Sequence, residues 1–307
     1  MNPRELKDKL LRQAMFLLGI FVLSLVFFIG FGLFKRAQPV LGETSLKNLL
    51  FSSLWHPSRG EFGLAGFITG TMWVTAIAIM IAVPLSLLTA TFISEYCSKR
   101  IRQVVKPTID LLAGISPVVY GVWGMIAIVP LVRDYLMPFL SGRFPFFPFS
   151  SENYTGYSAL TAGIVLAVMV SPLIISVIEE VTKNVSFGVR EASLALGATK
   201  WQTTKFVVLR KAQPGIVAAV ILGLSRAVGE TMAVLMVAGC ALGSFPKSIF
   251  DAAYPLPALI ANTYGEMMSV PLYDAAVLLA ALILFLIAVF FNMAAWGILL
   301  YIERREN

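Results

Sequence analysis

The chain has 307 residues, 58% of them hydrophobic and 13% charged, with a mean hydropathy of +0.83. Soluble domains carry about a quarter of their residues as charges, so a water-soluble globule of this composition would expose large apolar patches. Its wealth of Leu, Ile, Val and Phe excludes intrinsic disorder, which leaves a membrane protein.

The remaining totals exclude several chemistries. The net charge of +7 does not require nucleic acid, because Lys and Arg in a membrane protein first set topology. Two cysteines, Cys97 and Cys240, are too few for a disulfide framework. A single histidine, His56, excludes the two-His zinc motifs. No G-x-x-x-x-G-K-[ST] loop is present, and neither H-E-x-x-H nor G-x-S-x-G occurs, so no nucleotide, metal or other cofactor is expected in this chain and an intramembrane enzyme is disfavoured.

Charge-free runs of about 18 residues or more are candidate spans, since about 20 helical residues cross a hydrocarbon core of about 30 Å. Taken in chain order they cover 13–34, 62–94, 111–132, 153–178 and 275–302, with a sixth over 212–246 interrupted by Arg226 and Glu230. The expected fold is an all-α integral membrane protein with six transmembrane helices. The first run follows a basic segment (Arg4, Lys7, Lys9, Arg12), is too long for a signal-peptide core and ends in Lys35-Arg36 without a small-residue cleavage site, so it reads as an uncleaved anchor. Residues 1–61 are thus assigned to the anchor helix and first outer loop, 62–302 to the membrane core, and 303–307 to a tail. With the amino end inside, the inner segments hold sixteen Lys and Arg against seven in the outer loops, which predicts both termini cytoplasmic.

The outer loops are rich in proline and aromatic residues. Loop 133–157 carries Pro138, Pro145 and Pro148 with Phe144, Phe146, Phe147, Phe149, Tyr154 and Tyr157, and reads as an interfacial aromatic belt or as a docking face for an extracytoplasmic partner. Loop 240–273, with Pro246, Pro255, Pro257 and Pro271, reads as a short re-entrant or interfacial segment. Asp110, after Pro107, is expected to cap the start of the third span, where Gly114, Pro117, Gly121 and Gly124 predict a kink or a broken turn facing solute.

Arg226 and Glu230 lie within the fifth apolar run, where each charge costs about 2.5–3.5 kcal/mol at a helix centre. Four residues apart, they would share a helical face and could pair within the helix. A self-satisfied pair would lock packing; the alternative is a path lined for an anion, since buried intramembrane charge defaults to function. A guanidinium donates two parallel hydrogen bonds to an oxyanion. A carboxylate only accepts, so Glu230 beside it suits an anion that still carries a proton, as hydrogen phosphate does and sulfate does not. Ser225 and Thr231 offer hydroxyls next to the pair, and Gly223 and Gly229 suit close helix packing.

The longest inner segment, 179–213, contains a helix-forming stretch at Ala192, Leu194, Ala195 and Leu196, then Gly197 as a C-terminal cap and Thr199 as the cap of a following helix. Two short helices around a glycine turn outside the bilayer suit helix-in-groove docking. Glu191, Ala192, Ser193 and Gly197, followed by Val207, Leu209 and Arg210, resemble the EAA loop of bacterial ABC importer permeases, with Ser193 in place of the second alanine and Arg210 in place of the closing proline.

The stretch from Gly215 to Gly239, around Arg226-Ala-Val-Gly-Glu230-Thr-Met-Ala-Val, and Val118-Val-Tyr-Gly-Val-Trp-Gly124 are similar to the phosphate-importer permeases, and the Thr231-Met-Ala-Val run favours the PstC type over the PstA type. Ser116-Pro117 stands where that family usually has the reverse order. The similarity is specific over about 110–240 and otherwise rests on hydropathy.

This resemblance implies the type I ABC importer permease architecture in a bacterial cytoplasmic (inner) membrane. It implies partnership with a PstA-like second permease, a PstB-like ATPase dimer that binds ATP and Mg, and a PstS-like extracytoplasmic phosphate-binding protein. The coupling loop would be 186–210, with Glu191, Ala192, Gly197, Ala198 and Thr199 at the ATPase, and the substrate path would be lined by Arg226, Glu230, Ser225 and Thr231. A permease for sulfate or molybdate and a structural or sensory membrane partner are the competing readings.

Overall fold

A computed structural model describes residues 3–306 apart from 145, 150–153, 243–244, 267–269 and 271. Pro145 and Pro271 of the outer loops, and Asn153 at the expected start of the fourth span, lie outside the described residues. Helix α1 (Pro3–Glu43) and the short α2 (Leu46–Phe51) lead into an antiparallel hairpin of β1 (Trp55–His56) and β2 (Glu61–Phe62), with Trp55 opposite Phe62. There follow α3 (Ala65–Tyr96), α4 (Lys99–Ala113), α5 (Pro117–Arg143) and α6 (Ala159–Lys183). After α7 (Phe187–Ala195), α8 (Lys200–Lys211) and α9 (Gln213–Val228) come α10 (Met232–Val237), α11 (Leu256–Thr263) and α12 (Tyr273–Glu306).

Among the described residues, five helices (α1, α3, α5, α6 and α12) are each long and apolar enough to cross a membrane, and the count reaches six if α8 and α9, bent by 69° at their junction, are taken as one broken span. The all-α membrane architecture holds, with five spans or six, and the expected fifth span departs from a rod. The continuous helix expected over 212–246 does not form, because α9 stops at Val228, α10 adds only six residues, and the chain leaves the helix at Ala238.

The third span also differs. Residues 99–113 form a separate amphipathic helix, α4, and a new helix starts at Pro117, which occupies its first turn where the missing N–H needs no partner. Asp110 is therefore not an N-terminal cap: it lies near the end of α4, and its Oδ1 accepts a hydrogen bond from Ser176 Oγ of α6 at 2.8 Å. Helix α5 runs past the expected limit at Val132 to Arg143, carrying two π-turns at Gly124–Ile128 and Val132–Leu136. Its far end joins an aromatic group in which the rings of Phe144, Phe146 and Phe149 sit 5.9–6.3 Å apart.

Two packing centres hold the bundle. The larger is built on α3 against α6, with Val74, Ala78, Leu166, Met169, Val170 and Ile174 buried. Helix α9 closes on it at Gly223, where an added Cβ would stand 2.5 Å from Ile174 Cδ1, so a glycine permits the approach. The smaller centre joins the latter part of α1 (Ala37, Val40) and the hairpin (Trp55, Phe62) to α11 and α12. The short segment expected within 240–273 is α11, which is buried and anchored where Leu256 N donates to Thr71 Oγ1 of α3 at 2.9 Å.

Candidate functional site

Two places in the bundle concentrate polar chemistry, and the first is the break in the fifth span. Helix α9 ends at Gly229, and Thr231 Oγ1 turns back to donate to Gly229 O at 3.3 Å. Glu230 sits in the break, its Oε1 accepting the N–H of Ala233 at 3.3 Å, in the manner of a capping carboxylate at the start of α10. Arg226 and Glu230 are both half-buried, and α9 ends between them in the chain at Gly229, so the continuous helix that would set them on one face does not run through both. Among the described residues no ion pair is made by either.

The Arg226 guanidinium is within electrostatic reach of the Tyr120 phenol on α5, whose hydroxyl donates to Leu112 O at 2.8 Å. Ser225, one residue earlier, donates to Asn292 Oδ1 of α12 at 3.1 Å, and Asn292 Nδ2 is held by Ala288 O. Ser225 thus ties α9 to α12. Sequence reasoning did not single out Asn292; a lone amide inside a long apolar run is the signal that would have found it. Gly223 serves packing, whereas Gly229 is uncrowded and marks the end of α9. Irregular backbone at membrane depth occurs where it is buried in protein or lines a water-filled cavity, which sets this break apart from the continuous spans.

The second place is the 186–210 segment, where Gly197 and Thr199 act as the sequence predicts. Gly197 adopts φ +84°, a left-handed turn that glycine takes without strain, closing α7. Thr199 and Gln202 form a reciprocal capping box at the start of α8, Gln202 N to Thr199 Oγ1 at 3.2 Å and Thr199 N to Gln202 Oε1 at 2.8 Å. The two arms are tied by a hydrogen bond of 2.9 Å between the Ser193 and Thr203 hydroxyls. Glu191, Ala192, Gly197 and Thr199 are exposed, Ala198 is half-exposed, and Leu196 at the tip is 90% exposed. The hairpin thus presents an exposed apolar tip held by fixed caps.

Beneath this hairpin lies an ionic cluster that sequence reasoning missed. Glu179, near the end of α6, has its side chain only 3% exposed, and accepts from Arg102 and from Lys106 (3.0 Å) of α4 and from Lys183 (2.6 Å) one turn on. Burying a carboxylate costs several kcal/mol unless it is paired, and three partners accomplish that here while fixing α4 against α6. Nearby, Arg190 donates to Glu95 at the end of α3 (2.8 Å) and to the carbonyls of Thr182 (2.8 Å) and Val185. Both glutamates lie at the ends of apolar runs, where a count of Lys and Arg passes over them; their pairing with Arg102, Lys106 and Arg190 needs the fold.

A helical bundle with a broken, charged fifth span and an exposed glycine-turn hairpin defines a polytopic transport protein with the type I ABC importer permease fold. Residues 82–305 match the family of binding-protein-dependent transport system inner membrane components, and the chain belongs to that family. It is 34% identical over 304 residues to the probable phosphate transport system permease protein PstC of Methanocaldococcus jannaschii, with 95% of each chain covered. It is also 34% identical over 314 residues to the phosphate transport system permease protein PstC of Xylella fastidiosa, covering 99% of this chain and 95% of the relative. The likeness thus extends to the amino-terminal third and the last helix, beyond the 110–240 region that motifs alone support. Among solved structures, a chain of a bacterial alginate ABC transporter in complex with its alginate pentasaccharide-bound periplasmic protein matches the fold with a TM-score of 0.61 at 16% identity, covering 95% of this chain and 94% of that one.

Proposed function

We propose that this chain is a membrane permease subunit of an ATP-driven phosphate importer, forming the path for inorganic phosphate with a second, PstA-like permease. Two observations carry it: relatives named as phosphate transport system permease proteins are 34% identical to this chain over nearly its full length, and in this chain the fifth apolar run breaks beside Arg226. Arg226 and Glu230 are the path residues, Arg226 donating hydrogen bonds to the anion's oxygens and Glu230 accepting one from its hydroxyl. Ser225 and Thr231 border them; Ser225 reaches the anion only by exchanging its bond to Asn292. ATP and Mg are bound by a PstB-like ATPase dimer that receives Glu191, Ala192, Gly197, Ala198 and Thr199, and a PstS-like phosphate-binding protein delivers the anion. The chain sits in the cytoplasmic membrane with both termini cytoplasmic, residues 1–61 anchoring, 62–302 forming the permease and 303–307 the tail.

The test is uptake of labelled phosphate by the assembled importer, with sulfate or molybdate as competitor, in the wild type and in Glu230→Gln. The proposal expects phosphate transport that excess sulfate does not suppress, and a reduced preference for phosphate in Glu230→Gln, because an amide can donate to fully ionised oxygens. Unchanged transport and preference in that variant would remove Glu230 from the path. Transport of sulfate or molybdate in place of phosphate by the wild type would reassign the substrate.

A further inference from the structure

The exposed hairpin is continuous in the chain with α6 and α9, and the small apolar cluster of Val185, Val208 and Ala212 seats its base against them. Helix α3 has no such covalent link to the hairpin, yet it is the helix packed most extensively on α6. Its last turn, the π-turn Phe92–Tyr96, touches both arms of the hairpin. Glu95 binds Arg190 on α7, before the Gly197 turn, at 2.8 Å, and both side chains are largely buried (10% and 16% exposed). Tyr96, the next residue, has the ammonium of Lys200 at the start of α8, after the turn, 4.7 Å from its ring centroid.

The two grips are chemically different and lie on opposite arms. Arg190 is further locked by the Thr182 and Val185 carbonyls at the end of α6, so its guanidinium joins the ends of α3, α6 and α7. The Ser193–Thr203 bond prevents the arms from separating independently. A single contact would leave a hinge about one axis, whereas two contacts on either side of the turn, with the arms tied, restrain rotation as well as translation.

We propose that Glu95 and Tyr96 form a two-point clamp that makes the hairpin and α3 one rigid body, so that displacement of the hairpin by the ATPase carries α3 with it. This rests on the coupling role proposed above for residues 191–199. Glu95, Tyr96, Arg190 and Lys200 are positioning residues, acting through the hairpin without touching substrate.

The experiment uses the complete importer in a Cys97→Ser, Cys240→Ser background with spin labels at Gly188→Cys on α7 and Met80→Cys on α3. A Cβ at Gly188 meets nothing within 4 Å and Met80 is 74% exposed, so both sites accept a label. The distance between labels is measured in the nucleotide-free and the vanadate-trapped states, and phosphate taken up per ATP hydrolysed is measured in parallel. The clamp predicts one unchanged distance in both states for the wild type. In Glu95→Gln combined with Tyr96→Leu it predicts a state-dependent distance and an uptake-to-hydrolysis ratio lowered about fivefold, within the range by which coupling mutations act. A wild-type distance that changes with nucleotide, or a double variant with wild-type distances and ratio, would overturn the proposal. If the substrate were not phosphate, the wild type would fail the uptake assay while the label distances still decide on the clamp.

Discussion

Glu179 and Arg226 are both charges placed on apolar helices, and their surroundings differ in kind. Glu179 is almost fully buried with three cations around it. Arg226, in the last turn of α9 within an apolar run, is half-buried and makes no ion pair among the described residues. A charge surrounded by opposite charge holds elements together and is costly to remove. A charge left half-exposed in the span has unused hydrogen-bonding capacity that a mobile anion can take up. Pairing thus separates a structural joint at Glu179 from Arg226, the residue proposed for the path.

The contrast can be broken by substitution. The largest effect is expected at the joint: Glu179→Ala leaves Arg102, Lys106 and Lys183 facing one another, and should destabilise the chain by about 3 kcal/mol, read as a lowered melting temperature of the purified complex. Wild-type stability in that variant would show the cluster to be incidental. A smaller loss is expected at the hairpin, where Thr199→Ala removes a capping box and should destabilise α8 by about 1 kcal/mol. That loss should appear as faster amide exchange over residues 200–205, and equal protection would contradict it. The smallest is expected at the path's edge: Ser225→Ala deletes one interhelical hydrogen bond, worth about 0.6 kcal/mol inside membranes. It should leave the melting temperature nearly unchanged, and a large drop would move Ser225 from the path to the joint.

Much of this was legible in the sequence, for identifiable reasons. Long apolar runs locate spans because hydrocarbon demands them, and the Gly197 and Thr199 caps are local chemistry that a tertiary context did not override. The place of the break was not legible. Arg226 and Glu230 at a four-residue spacing look like a helical pair, and only the fold reveals that Gly229 ends α9 between them. Asp110 was misplaced for a related reason: Pro107 reads as the start of a helix, whereas α4 carries it internally and the true start is Pro117. Apart from the local Glu179–Lys183 contact, the Glu179 and Glu95 pairings join residues 73 to 95 positions apart, and no local pattern encodes those.

The central claim is that Arg226 is a path residue whose charge serves the transported anion. It is tested most directly by the rate of labelled phosphate uptake in the reconstituted importer carrying Arg226→Gln, with assembly and melting temperature followed on the same preparation. Loss of a charged hydrogen-bond donor, worth about 1.5–3 kcal/mol, predicts uptake lowered about 10- to 100-fold in a complex that assembles and melts like the wild type. Unimpaired uptake, or a loss that follows only from failed assembly, would contradict it.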